Sequence, residues 1–235
     1  MVRGRRGRWS GLGLALLMAA VIGVGAWLAL RTPAPGPAPL PRPTPERPSV
    51  LATVAWVADG DTLDVTLPGE DARTRLRLLA IDTPEGPGGG RPAQCLADEA
   101  RAALLELAPR GAEVGVTDYG RDRYGRRLVG LTTADGVLVN TELVRRGLAA
   151  PLVVGGDVPL QREVRAAQAE AAAAGVGLHA ATGCTIGGRL ASGDPVEAAA
   201  VLEDLLADER NPLVQGLTDD AYDAALRDAR RLAGR

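Results

Sequence analysis

The chain has 235 residues, 46% of them hydrophobic, and its 27 basic residues, all Arg, stand against 29 Asp and Glu for a formal charge of -2 at pH 7. That length accommodates one domain with appendages or at most two small ones. Seven arginines fall within the first 47 residues, so residues 48–235 carry a balance of -8, which excludes tight nonspecific nucleic-acid binding through many phosphate contacts but is compatible with a few arginines focused in a cleft.

The N-terminus opens with Arg3, Arg5, Arg6 and Arg8, then runs uncharged from Trp9 to Leu30 before Arg31. Residues 10–30 would span about 32 Å as a helix, enough for a hydrocarbon core of about 30 Å, and the basic flank should stay in the cytoplasm. Trp27 and Leu28 stand where a cleavable signal would carry small residues. The expectation is a transmembrane anchor within residues 1–31; the alternative is a long signal peptide cut near residues 34–38. Either way the remainder works outside the cytoplasm, membrane-anchored or secreted. Eight prolines in residues 32–48 predict a stiff polyproline II spacer.

Residues 51–58 read as a strand ending at the turn dipeptide Asp59-Gly60, and 62–67 alternate as its partner. After Pro68-Gly69-Glu70-Asp71, residues 73–81 form a third strand with Arg73, Arg75 and Arg77 on one face and Leu76 and Leu78 on the other. A glycine-rich loop at 86–90 precedes a helix at 97–107, carrying Leu104, Leu105 and Leu107 on its period. Strands at 113–117 and 127–133 follow, joined by 118–126. Asp135-Gly136 then turns the chain into a short strand, before helices at 140–146 and 159–174. This order predicts a mainly β, α+β chain, a five-stranded OB-fold-like barrel with packed helices over residues 49–184.

Beyond residue 184 the chain changes character. Gly187, Gly188 and Gly193 read as a linker, and residues 195–207 and 219–232 as acidic amphipathic helices. The extension, 185–235, is expected to dock on the barrel as a helical hairpin; the alternative is an element that binds an unknown protein partner. Cys95 and Cys184 are the two cysteines, and export favours their pairing. Closing such a loop is worth about 4 kcal/mol in the chain-entropy picture; the alternative is two separate buried thiols.

The chemistry concentrates in two stretches. Asp61, Asp82 and the carbonyl of Thr83 are hard oxygen donors from neighbouring strand ends, suited to Ca²⁺ with Mg²⁺ as competitor. Glu85, three residues past Asp82, is placed to orient or deprotonate an attacking water. Arg77 and Arg126 are placed to hold a phosphate where charge builds in the transition state.

Together the motifs VADGDTLDV, RLRLLAIDTPE, DRYGRRL and LVNTELVRRGLA resemble the staphylococcal nuclease, or thermonuclease-like, family. The resemblance implies a five-stranded OB-like barrel, Ca²⁺ dependence, and hydrolysis of DNA and RNA to 3′-phosphates; strand flexibility is expected to favour single-stranded or frayed substrates, and the protein is expected to be a monomer. By motif, Asp61, Asp82 and Thr83 match the calcium ligands, and Arg77, Glu85 and Arg126 the catalytic trio. Tyr124 matches a tyrosine near the bound 5′-phosphate, and Arg123 replaces the lysine usual before it. Two departures stand out. Residues 151–156, PLVVGG, replace tyrosines that contact the nucleotide, a loss of about 1 to 3 kcal/mol per unstacked base, and His179 stands where a tryptophan is common and reads as structural. The rival reading is a nucleic-acid-binding OB module without strong activity, or a surface interaction protein.

Overall fold

The computed structural model describes residues 49–88, 90–152, 159–207 and 211–234. The expected anchor and proline-rich spacer lie outside the described residues, as do residues 153–156 of the PLVVGG segment. Among the described residues no helix is long and apolar enough to cross a membrane.

Alternation builds the first strands. In β1 (Ser49–Val57) Ala52, Val54 and Val57 are buried, in β2 (Thr62–Thr66) Leu63 and Val65, and in β3 (Arg73–Leu78) Leu76 and Leu78. The parity change between Val54 and Val57 reflects a register shift between Val54 and Trp56, where a bulge bends the strand. With β5 (Glu113–Arg121) and β6 (Arg127–Thr133) these strands close a barrel in the order β1-β2-β3-β6-β5. Its one parallel seam joins β3 to β6, pairing Leu76 with Arg127, Arg77 with Leu128 and Leu78 with Val129.

The third strand ends three residues earlier than its apolar run suggests. Ala80 adopts a left-handed φ of 64°, at a cost of about 1–2 kcal/mol for a residue with a Cβ. That turn carries β4 (Ile81–Asp82) out of the barrel to pair with β7 (Ala150–Pro151), and Leu152 N–H donates to the Ala80 carbonyl at 2.8 Å. The short strand expected after Gly136 is reduced to an isolated bridge between Thr132 and Leu138.

Helix α1 (Ala97–Leu107) buries Ala97, Ala100, Ala103 and Leu104, whereas Leu105 is exposed. Its working face is therefore made of small residues, which lets it approach closely. Helices α2 (Val139–Arg145) and α3 (Gln161–Ala174) cover the barrel. Asn140, at the start of α2 and fully buried, fastens them to it. Its Oδ1 accepts from Leu131 N–H, and its Nδ2 donates to the carbonyls of Leu79 and Val129, all at 2.9 to 3.0 Å.

The extension has its own core. Helices α4 (Ile186–Ala191), α5 (Pro195–Leu206), α6 (Pro212–Gln215) and α7 (Asp219–Leu232) gather Ile186, Val201, Leu202, Leu205, Leu213 and Ala229 around Leu178 and Ala150 of the preceding domain. Gly187 and Gly188, expected in a linker, lie instead in α4. Thr185 caps that helix through its hydroxyl, and a Cβ at Gly188 would stand 2.3 Å from the Thr182 carbonyl carbon. These glycines permit close packing. Cys95 and Cys184 form a disulfide across 89 residues, and Cys95 and Leu96 pack on the extension's core.

Candidate active site

The site begins at the β1–β2 turn. Asp59 Oδ1 accepts from Asp61 N–H at 3.1 Å, an aspartate turn that directs Asp61 inward. Gly60 serves this turn differently from the expected turn dipeptide. Its φ is not left-handed; instead a Cβ there would lie 2.7 Å from Thr83 Oγ1 and 2.8 Å from Ala100 Cβ. The glycine lets α1 and Thr83 close over the turn.

Asp61 is 1% exposed. Its Oδ2 accepts from Thr83 N–H at 3.0 Å and the Thr83 hydroxyl at 3.1 Å, while Oδ1 accepts from Thr62 Oγ1 and from Arg77. The other terminal nitrogen of Arg77 donates to Asp82 Oδ1 and to the Ile81 carbonyl. Asp61, Arg77, Asp82 and Thr83 thus form one hydrogen-bonded unit assembled from a turn, a barrel strand and β4. The break at Ala80 is what lets Arg77 and Asp82, five residues apart, face each other.

Electrostatics tie in the remaining groups. Burial pushes the Asp61 carboxyl up to about 7 against the pull of Arg77, and the like charges of Asp59 and Asp82 add to it. Arg77 is itself buried, but Asp61 and Asp82 outweigh that burial and raise its proton affinity. Glu85 reaches solvent; even so, desolvation by surrounding atoms and the charge of Asp59 raise it, with Asp82 adding and Arg77 and Arg126 opposing. Both arginines therefore lie within electrostatic reach of Glu85.

Arg126 is set by its hairpin. Asp122 Oδ1 accepts from the N–H groups of Tyr124 and Arg126 at 2.9 Å, and Asp122 Oδ2 accepts from Arg126 Nε at 2.6 Å. No described residue accepts a hydrogen bond from the terminal nitrogens of Arg126. Tyr124 is 69% exposed, with the guanidinium carbons of Arg123 and Arg126 4.8 and 5.6 Å from its ring centre. Arg123 also donates to its hydroxyl at 2.7 Å.

The expected metal donors meet the chemistry of a hard divalent cation. They are all oxygens, and Asp59, Asp61, Asp82 and Glu85 leave Arg77 and Arg126 outnumbered by carboxylates. Among the described residues no group of three or more His, Cys, Asp or Glu side chains forms a metal cage by itself, so two carboxylates and a carbonyl would share an ion with water and substrate. His179 lies in a short 3₁₀ turn, Gly177–His179, with its proton affinity lowered by burial.

Of the residues that support this unit, the sequence marks Asp59 only as a turn residue and Asp122 only as part of DRYGR, and it does not mark Gln94. A signal existed for Asp122, since Asp at the first position of a turn and Gly at the fourth, as in DRYG, is a recurrent pairing. Gln94 left none, because its partner is set by a loop closing on itself.

Comparison with known proteins agrees with this geometry. Residues 75–181 match the family described as Staphylococcal nuclease homologue. An Escherichia coli O157:H7 protein named an uncharacterized endonuclease is 37% identical over 100 residues, covering 41% of this chain and 57% of that protein. A Bacillus anthracis protein whose name gives no activity is 32% identical over 101 residues, 42% of this chain and 46% of its own length. The chain thus spans about half the length of these relatives. Asp61 lies ahead of the matched stretch but is hydrogen-bonded into it through Arg77 and Thr83. Over residues 75–181, the chain is thus similar to the family described as Staphylococcal nuclease homologue.

Proposed function

We propose that the chain is a calcium-dependent, sugar-nonspecific nuclease that hydrolyses phosphodiester bonds of DNA and RNA outside the cytoplasm and leaves 3′-phosphates. The observation that carries this reading is the single unit formed by Asp61, Arg77, Asp82 and Thr83, with Glu85 and Arg126 in electrostatic reach of it. Phosphodiester hydrolysis asks a protein for positioning, charge neutralisation and an aimed water, and these residue types supply each.

Asp61, Asp82 and the Thr83 carbonyl would hold the ion. When bound, Ca²⁺ supplies a concentrated positive charge against the phosphate oxygens. Glu85 accepts a proton from the attacking water, a task that its raised proton affinity suits. Arg77 and Arg126 donate to the phosphate oxygens that gain charge, each able to present two N–H groups at once. Arg123 and Tyr124, exposed beside Arg126, bind the next part of the strand. A cleft with few cationic contacts favours chains that bend into it, so single-stranded or frayed DNA and RNA are the preferred substrates. The N-terminal segment supports an outer-face, membrane-anchored location, or secretion if it is cleaved.

The test is release of acid-soluble nucleotides from single-stranded DNA with Ca²⁺, with chelator, and with Glu85→Gln. The expected result is loss of activity with chelator and a fall of about 10² to 10⁴ for the variant. Hydrolysis indifferent to Ca²⁺ at both neutral and alkaline pH would end this reading.

A further inference from the structure

Glu85 is held at both of its main-chain groups by one residue. Its N–H donates to Gln94 Oε1 at 2.7 Å, and its carbonyl accepts from Gln94 N–H at 2.9 Å. This reciprocal pair closes the intervening glycine-rich loop at its base, so the backbone of Glu85 is fixed even though the loop beyond it is exposed. Gln94 in turn is joined to Cys95, whose sulfur is bonded to Cys184 and whose side chain packs on the core of the C-terminal helices. Leu96, next in line, packs on the same core and takes a left-handed φ of 68°, turning the chain directly into α1. Glu85 is therefore connected to Cys184 by one main-chain and one side-chain hydrogen bond with Gln94, one peptide bond and one disulfide. Cys184 is exposed, so that disulfide is open to reductants.

We propose that Gln94 is a positioning residue for Glu85, anchored through the Cys95–Cys184 disulfide to the C-terminal helices, so that these helices and the redox state of the bridge set the activity of the site. The proposal deepens the nuclease reading and rests on it for its kinetic consequences. Gln94 does not reach the substrate; it fixes where the Glu85 carboxylate stands. A displacement of about 1 Å in such a group costs up to about 10² in rate. Among the described residues, the loop that follows is closed within itself by the Gly88–Arg91 bridge, which does not involve Glu85. The anchoring also gives the extension a role in the site that its acidic surface does not reveal.

The experiment uses the full chain. Gln94→Ala is compared with Gln94→Glu, which keeps an oxygen acceptor of the same reach, by steady-state hydrolysis of single-stranded DNA with Ca²⁺ and by hydrogen exchange at the Glu85 amide. Circular dichroism confirms folding of each. The expected result is that Gln94→Ala lowers kcat about 10- to 100-fold with KM unchanged, that Gln94→Glu restores most of it, and that the Glu85 amide exchanges faster only in the alanine variant. Cys184→Ala, or reduction of the wild type with dithiothreitol, should lower kcat and speed that amide too, and combining Cys184→Ala with Gln94→Ala should add little. Unchanged kcat, a change confined to KM, equal loss in both Gln94 variants, or fully additive effects of the two lesions would each overturn the proposal. If the wild type shows no hydrolysis, the nuclease reading fails by itself. The amide exchange then still decides whether Gln94 clamps Glu85: an unchanged rate in Gln94→Ala refutes it.

Discussion

Arg77 donates to Asp61, sixteen residues before it in the chain, at a point where the carboxylate is 1% exposed. The same guanidinium holds Asp82. One side chain thus bridges the two carboxylates assigned to the metal, and it is also assigned to the phosphate. Removing it leaves a buried, uncompensated acid.

Arg77→Ala should therefore destabilise the protein by about 3 kcal/mol or more, the usual penalty for stripping one partner from a buried pair. Added Ca²⁺ should recover part of that loss, because a cation replaces the missing charge, and the Ca²⁺-dependent rise in melting temperature should be larger in the variant than in wild type. Thermal unfolding with and without Ca²⁺ checks both; an equal or smaller rise in the variant contradicts the assignment of Asp61 and Asp82 to the ion.

Gly60→Ala tests the close approach at the turn. A methyl group there meets Thr83 and Ala100 at 2.7 and 2.8 Å, so β4 or α1 must move. Overpacking of this kind costs about 1–3 kcal/mol, and any displacement of Thr83 also moves a proposed ligand. Denaturant melts should show the loss, and calcium titration a weaker affinity. Wild-type calcium affinity in Gly60→Ala would show that the turn yields without disturbing Thr83.

Much of this arrangement was readable from residue order. The alternation in residues 62–67 marks an inward face, and DGDT, IDTPE and DRYGR each sit at a strand end. The less legible parts depend on shape. LLAI reads as a continuation of β3, because nothing about an alanine marks position 80 as left-handed. Gly187 and Gly188 read as a linker because glycine used for a tight contact looks the same in sequence as glycine used for flexibility. Leu105 fits the helical period of α1 yet stays outside, since the helix approaches the barrel on its alanines.

Asn140→Ala removes three hydrogen bonds from a fully buried position, leaving the Leu131 N–H and the Leu79 carbonyl without this partner, while the Val129 carbonyl keeps the Leu79 N–H. Each orphaned buried group costs about 1–3 kcal/mol, so a loss of about 2 kcal/mol or more is expected in equilibrium unfolding. The site residues are untouched, and kcat below the variant's melting point should stay within a few-fold of wild type. A loss under 1 kcal/mol would mean that water or relaxation satisfies these groups.

Arg75 and Asp64, opposite each other on β3 and β2, make a two-pronged pair at 2.8 and 3.1 Å. The hydrogen bond from Arg75 holds the Asp64 carboxyl below its ordinary value, with partial burial opposing. A depressed carboxyl stabilises the fold above the ordinary aspartate range and loses that contribution as pH falls through the lowered value. Because Arg75 is largely exposed, the effect is small, about 0.5 kcal/mol. The stability gap between wild type and Asp64→Asn should be present at neutral pH and shrink on acidification; a gap that widens on acidification reverses the sign of the pair's contribution.

The parallel seam between β3 and β6 has a kinetic consequence. Leu76 meets Arg127 only when segments some fifty positions apart align, and that same alignment lays the strand of Arg77 beside the strand that follows Arg126. Until the seam zips, β3 with Arg77 and β6 at the end of the DRYGR hairpin are the two opposite edges of an open sheet. In a refolding time course, hydrolysis should therefore return with barrel closure and lag behind the local turns, which makes catalysis itself the reporter of when the last strands meet.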